Sequence, residues 1–175
     1  TLPNGMKIAL MPKKTRGETV QIQLRLHQGN ETSLKGTTPR GSLAASMLAL
    51  GTRKRDRQAF EDTLDQLRAK LALGGSETET SARGQTVRAH LPDFLRLVAE
   101  TLREPAFPAI EFDKLKREQI AALEEQRTDP QSIADRALQR WNNPWVKGDV
   151  RYVPTFDEEL AEINAVTLQQ VTSFY

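Results

Sequence analysis

Few residues in this chain could start chemistry. It has no Cys and two His, which removes a thiolate nucleophile, a Cys-based zinc site and a disulfide framework together. His27 and His90 stand far apart at the ends of strand-like runs, and no H-x-x-x-H pair occurs. Two imidazoles need that spacing to reach one zinc from a single helical face, so both read as ordinary surface or strand-end residues. Glu124-Glu125 offers a carboxylate pair for metal or acid/base work. With Lys116 and Arg127 at helical spacing, the pair reads instead as a solvated helix end. Arg53-Lys54-Arg55-Arg57 would suit a phosphate, but Asp56, Glu61 and Asp62 follow and no aromatic is interleaved for base stacking. It reads as a connector that keeps two helices apart and soluble. Trp141 and Trp145 suit a binding surface or packing over the core, and packing is preferred because large aromatics mostly bury. The phosphate-cradling G-x-x-x-x-G-K-[ST] and G-x-G-x-x-G loops and the G-x-S-x-G elbow are absent.

The 175 residues are 38% hydrophobic and 27% charged, enough for one domain with a real core and too polar for a membrane span. With 25 Lys and Arg against 23 Asp and Glu the formal charge is +2. That balance gives no reason to expect nucleic acid or an anionic membrane as partner. The absence of Cys is compatible with either redox compartment. The chain opens at Thr1 and closes at Phe174-Tyr175 inside a helical pattern, which reads as one domain, residues 1–175, cut from a longer protein.

The elements that must position these residues follow from periodicity. Asn4-Gly5 is a turn, and Met6, Ile8 and Leu10 alternate as a half-buried strand. Residues 12–17 form a polar connector. Val20, Ile22, Leu24 and Leu26 alternate with Gln21, Gln23, Arg25 and His27, a strand with one apolar and one polar face. After a loop over residues 29–40, Ser42 is placed to cap a helix through Leu50 that is small or apolar all round and ends at Gly51. Asp56 opens an amphipathic helix with Phe60, Leu64, Leu67 and Leu71 on one side, stopped by Gly74-Gly75. Residues 76–90 read as two strands meeting near Arg83-Gly84, the first polar (Ser76, Thr78, Thr80), the second carrying Val87, Ala89 and Leu91. Pro92-Asp93 starts a helix with Phe94, Leu97, Val98 and Leu102 inward. Pro108 stands in the first turn of a charged helix bearing Phe112, Leu115, Ile120 and Leu123. Asp129-Pro130 breaks it, and a further helix runs through Ile133, Ala137 and Leu138 to Trp141. Thr155 with Glu158 and Thr167 with Gln170 are capping boxes for two short final helices. Strand pairs alternating with helix pairs predict an α+β fold, a mainly antiparallel sheet with helices packed on one face. The last helices would normally be followed by a further strand or strands.

The pieces, in order, resemble an insulinase-type (M16) zinc metallopeptidase domain. The resemblance rests on Leu2-Pro3-Asn4-Gly5-Met6, Gly29-Asn30-Glu31 and residues 41–48 closing at Gly51-Thr52. It continues through Leu102-Arg103-Glu104-Pro105-Ala106-Phe107, the helix 112–125 and Asp129-Pro130. Active domains of that family carry H-x-x-E-H on the first helix, two His holding zinc and the Glu activating water. Those three places fall on Ser42, Ala45 and Ser46, and the family's distal Glu ligand falls at Glu125 or its neighbour Glu124. The resemblance therefore implies a non-catalytic domain, with no catalytic or metal-ligating residue of its own. Zinc is expected in a catalytic M16 domain on the same chain or a partner subunit. The two together would enclose a chamber that degrades peptides, with Ser76, Thr78 and Thr80 as a hydrophilic wall. It also implies a periplasmic or secreted setting. The alternative is a purely structural core subunit of the same fold without peptidase function. A nucleic-acid module resting on the Arg53 cluster is disfavoured by the charge balance.

Overall fold

The alternation at residues 20–26 becomes β1 (Thr19–His27), one edge of a three-stranded antiparallel sheet ordered β1-β3-β2, with β2 at Lys70–Gly75 and β3 at Glu79–Val87. This computed structural model describes residues 1–14 and 17–175. The register sets Ile22, Gly84 and Leu71 in one row and Leu24, Ala82 and Leu73 in the next, all on one face. The opposite face carries the rows Gln21, Gln85, Lys70 and Gln23, Arg83, Ala72, then Arg25, Ser81, Gly74.

Two sequence expectations change here. Lys70–Gly75 is a strand and not the end of the preceding helix. Arg68 adopts φ 47° and ends the helix just after Leu67, and Leu71 and Leu73 then alternate with Lys70 and Ala72. Leu71 thus fits both a helical stripe and a strand, and chain reversal at Arg68 decides between them. Residues 79–87 are one strand running through Arg83-Gly84; the turn lies at residues 76–78, where Ser76 N donates to Glu79 O at 2.8 Å. Ala89 and Leu91 fall outside it, in a 3-10 turn and at the start of the next helix. Gly84 sits mid-strand because the Phe94 ring lies on it: a Cβ there would stand 2.4 Å from Phe94 Cζ.

The Asn4-Gly5 turn is present, with Gly5 N donating to Leu2 O at 2.9 Å. Met6, Ile8 and Leu10 do not form a strand, and Leu10 is 87% exposed. Alternation supplies an apolar edge, but a strand also needs a ladder partner, and among the described residues none pairs with this segment. Of the expected connector at 12–17, residues 15 and 16 lie outside the described residues.

Helix α1 (Thr38–Met47) starts four residues before Ser42, with Pro39 in its first turn, and passes through a 3-10 turn at Leu48–Leu50 to Gly51. Ser42 is therefore an interior residue and no cap: Pro39, with its fixed φ, is suited to an earlier start. Leu43, Ala44, Ala45, Met47 and Leu48 are buried, as an all-round apolar helix should be. Helix α2 (Arg57–Gln66) is capped by Asp56, which accepts from Ala59 N at 2.8 Å. Helix α3 (Leu91–Arg103) buries Phe94, Leu97, Val98 and Thr101. Helix α4 (Ala109–Thr128) follows Pro108, which holds the cap position itself. Asp129 caps α5 (Pro130–Trp141), and both capping boxes form as read, opening α6 (Phe156–Ala165) and α7 (Leu168–Phe174).

The core is layered on the apolar side of the sheet. Ala82, Phe94, Val98 and Ala69 pack beneath the strands, while Leu43, Met47, Leu48, Phe107, Phe112 and Val171 form a second cluster. Leu73 and Leu102 touch both. A third cluster, Leu123, Leu160 and Ile163, ties the far end of α4 to α6. The fold is α+β, an antiparallel sheet with helices on one face.

Replacing Gly84 with Ala drives a methyl into a fully buried ring. The expected cost is about 1–3 kcal/mol, read as a lower urea midpoint at unchanged m-value.

Candidate functional site

The first helix is where the sequence resemblance puts its chemistry. Ser46 is exposed and its hydroxyl donates to the Ser42 carbonyl at 3.0 Å, one turn back. Ser42 is half-buried and Ala45 is 3% exposed. A zinc site takes imidazole, thiolate or carboxylate ligands, and a hydrolytic one needs a base as well. Two hydroxyls and a methyl supply neither, so these residues do not fit the metal. Among the described residues no three His, Asp or Glu side chains gather into a possible metal set.

The remaining candidates are dispersed. The core contacts of α1 include Phe112 and Leu115 near the start of α4. Glu124 and Glu125 follow Leu123 of the separate third cluster, at the far end of α4. Arg127 pairs with Glu124 at 3.4 Å and with Asp157 at 3.3 Å. Lys116 does not join them: its Nζ donates to the carbonyls of Asn164 and Val166 at 2.8 and 2.9 Å, closing the end of α6. His27 lies at the end of β1, 3.7 Å from Glu79 and largely in solvent. His90 stands in the turn before α3.

The basic run is pinned to α3. Arg55 pairs with Glu100, and Lys54 reaches Glu104 at 3.0 Å. Arg57 pairs with Glu61 at 3.1 Å and Glu111 at 3.6 Å. Thr52 adds a 2.6 Å hydrogen bond to Glu100 and bridges Pro105 through the backbone. This is a neutralised connector that fastens the segment after α1 to the end of α3. Burial raises the Glu100 carboxyl, but hydrogen bonds from Arg55 and Thr52 outweigh it and hold the group below its ordinary range.

The open sheet face is an ordered polar surface built by these strands. Gln21, Gln23, Lys70, Arg83 and Gln85 surround a shallow depression of about 450 Å³ floored by Ala72 and Gly84. The expected wall of Ser76, Thr78 and Thr80 is not this surface. Thr80 turns inward, 4% exposed, its hydroxyl donating to Gln28 Oε1 at 3.0 Å. Ser76 and Thr78 sit in the turn, bonded to each other at 3.0 Å. The wall is the other alternation, Glu79, Ser81, Arg83 and Gln85, which becomes visible once residues 79–87 are read as one strand. No fourth strand pairs with β1 or β2 among the described residues.

The tryptophans do not pack over the core. Trp141 is 88% exposed and Trp145 40%, with the Arg151 guanidinium stacked 3.2 Å from the Trp145 ring centre. Helix α5 attaches through Arg136 and Arg140 instead. Arg136 lies 4.4 Å over Phe156 and pairs with Glu159 at 2.7 Å; Arg140 covers Tyr152. The opposite arc, Ile133, Ala137, Leu138 and Trp141, is left in solvent. Amphipathicity was legible, but the buried side is the one whose arginines reach aromatic and carboxylate partners.

The antiparallel sheet layered by helices on one side is a fold shared with solved M16 peptidase structures. The inactive domain of an M16 peptidase from Pseudomonas fluorescens superposes with a TM-score of 0.74 at 22% identity, over 90% of this chain and 37% of that one. A protease from Helicobacter pylori gives 0.67 at 16% identity over 90% and 37%. The ferredoxin protease FusC, solved as a mutant with Arabidopsis ferredoxin, gives 0.59 at 13% over 90% and 17%. The chain thus spans well under half the length of each of these structures. Its sequence matches no known family profile and no curated protein. No helix among the described residues is long and apolar enough to cross a membrane.

Because the folded Glu100 carboxyl titrates below its ordinary value near 4.5, its stabilising contribution is complete above that pH and is lost as pH falls below it. Glu100→Ala is expected to lower stability by about 2 kcal/mol at neutral pH. The difference from wild type should shrink in urea titrations carried toward acid.

Proposed function

We propose that this chain is a non-catalytic, chamber-forming domain of a zinc metalloendopeptidase that degrades peptides, its zinc held by a second M16-type domain on the same chain or on a partner subunit. The reading is supported by α1, where the sequence resemblance sets Ser42, Ala45 and Ser46 at the places of two ligands and a base and none of the three can do that chemistry. No hydrolytic step is assigned to this chain's own residues.

What it contributes is enclosure and binding surface. The Gln21, Gln23 and Gln85 amides with Arg83 and Lys70 offer donors and acceptors to an extended main chain, and the edges of β1 and β2 suit strand addition. The apolar arc on α5 supplies area for a neighbouring domain, in keeping with the greater length of the structures that share this fold. Purely structural use of the fold differs from this reading in one respect, whether the assembled protein hydrolyses peptides.

The test is hydrolysis of a quenched fluorescent peptide library by this chain alone and together with its zinc-bearing counterpart. No turnover alone and turnover when combined is the expected result. Turnover by this chain alone contradicts the proposal, and an inactive assembly with zinc bound favours the structural alternative.

A further inference from the structure

A second depression, about 780 Å³, opens away from the polar sheet face, between the end of β1, the loop over residues 29–37, the first turn of α1 and helix α7. Leu26, Leu34, Leu102 and Phe174 make its apolar part. Among the described residues Arg40 is the one charged side chain lining it.

Arg40 differs from the other shielded arginines. Arg55, Arg136 and Arg140, half-buried like it, each pair with a carboxylate. Arg40 is half-buried, yet among the described residues it makes no ion pair or hydrogen bond. A cation drawn partly out of water with no counter-charge loses hydration without compensation. The other polar groups of the cleft are largely engaged. Thr37 donates to Leu34 O at 2.8 Å, Thr80 to Gln28 Oε1 at 3.0 Å and Gln28 Nε2 to Ser76 O at 3.3 Å; the Tyr175 hydroxyl donates to Leu102 O. Arg40 remains, with Gln169 and Ser173 from α7 beside it as neutral hydrogen-bonding groups. Its place in the first turn of α1 adds the positive end of the helix dipole.

A single planar cation beside an apolar floor matches a monoanionic carboxylate attached to an apolar group, held by paired N–H···O bonds. We infer that this cleft receives the C-terminal carboxylate of a peptide, with Arg40 on the carboxylate and the last side chain against Leu26, Leu34, Leu102 and Phe174. The choice of a peptide as carrier rests on the chamber reading; the carboxylate rests on the cleft alone. The place would hold the free end of a substrate or product chain apart from the open sheet face.

Fluorescence anisotropy of labelled peptides on the intact chain tests this. The set is a peptide ending in Leu with a free carboxylate, its C-terminal amide, and an amide carrying Glu one position from the end. The free acid should bind about tenfold or more tightly than the amide. Arg40→Ala should abolish that preference while Arg40→Lys keeps part of it. Because Arg40 makes no internal pair, the thermal midpoints of both variants should match wild type, so that lost binding is not lost folding. Equal affinity for acid and amide, or a preference that survives Arg40→Ala, overturns the inference. So does the Glu-containing amide matching the free acid, which would place a side-chain carboxylate in the cleft. Carboxylate selectivity in a chain whose assembly hydrolyses nothing would remove the chamber reading and leave the site. Hydrolysis by the assembly without that selectivity would do the reverse.

Discussion

The structure depends on the enclosure of α1. Gly41, Leu43, Ala44, Ala45 and Met47 are all buried along ten residues, between β2 on one side and α4 and α7 on others. Its first turn comes so close to the β2–β3 turn that a Cβ on Gly41 would lie 2.5 Å from Glu77 Cα. Small residues permit this approach, and close packing is what holds the sheet to the second core cluster. The same enclosure governs the chemistry. A carboxylate at Ala45 would be withdrawn from water and would need a metal or a cation beside it. None of the surrounding core residues, Leu43, Met47, Leu48 or Phe112, supplies one. Helix α1 is thus a packing element.

From α1 the constraint passes to both faces of the sheet. Apolar and small residues meet the helices, and two threonines that also point inward are satisfied, Thr86 by donating to Leu67 O at 2.8 Å and Thr80 by Gln28. Among the described residues no buried side-chain nitrogen or oxygen lacks a hydrogen-bond partner. The open sheet face and the Arg40 cleft are two places where polar groups are gathered at the surface. The second half of the chain is organised differently, by charge and aromatic contact more than by burial. Glu158 accepts from Thr155 N, Lys147 and Tyr152, which holds its carboxyl down at about 2. Arg136 and Arg140 dock α5 onto that framework.

Much of this was legible locally. The β1 alternation, the helix starts at Asp56, Thr155 and Thr167, the break at Asp129-Pro130 and the inward face of α3 each depend on neighbours within a few residues. Most of the overturned expectations turned on a partner distant in sequence, while Leu71 and Ser42 turned on a residue three positions away, Arg68 and Pro39. Leu71 fits a helix until Arg68 reverses the chain. Gly84 resembles a turn until Phe94 is placed on it. Met6, Ile8 and Leu10 alternate without finding a ladder. Trp141 is exposed because Arg136 and Arg140 find Phe156, Glu159 and Tyr152 on the other side of the helix. At the candidate site, residue type alone says that Ser42, Ala45 and Ser46 do not suit catalytic zinc. The Arg40 cleft could not be read from residue type, because the absence of a counter-charge is a property of the assembled surface.

Isothermal titration of the metal-stripped chain with Zn²⁺ at neutral pH examines the role of α1 most directly. No saturable site is expected, and the trace should be the same for the wild-type chain and for Ser42→Ala. A stoichiometric, tight isotherm that Ser42→Ala or Ser46→Ala weakens would contradict that expectation.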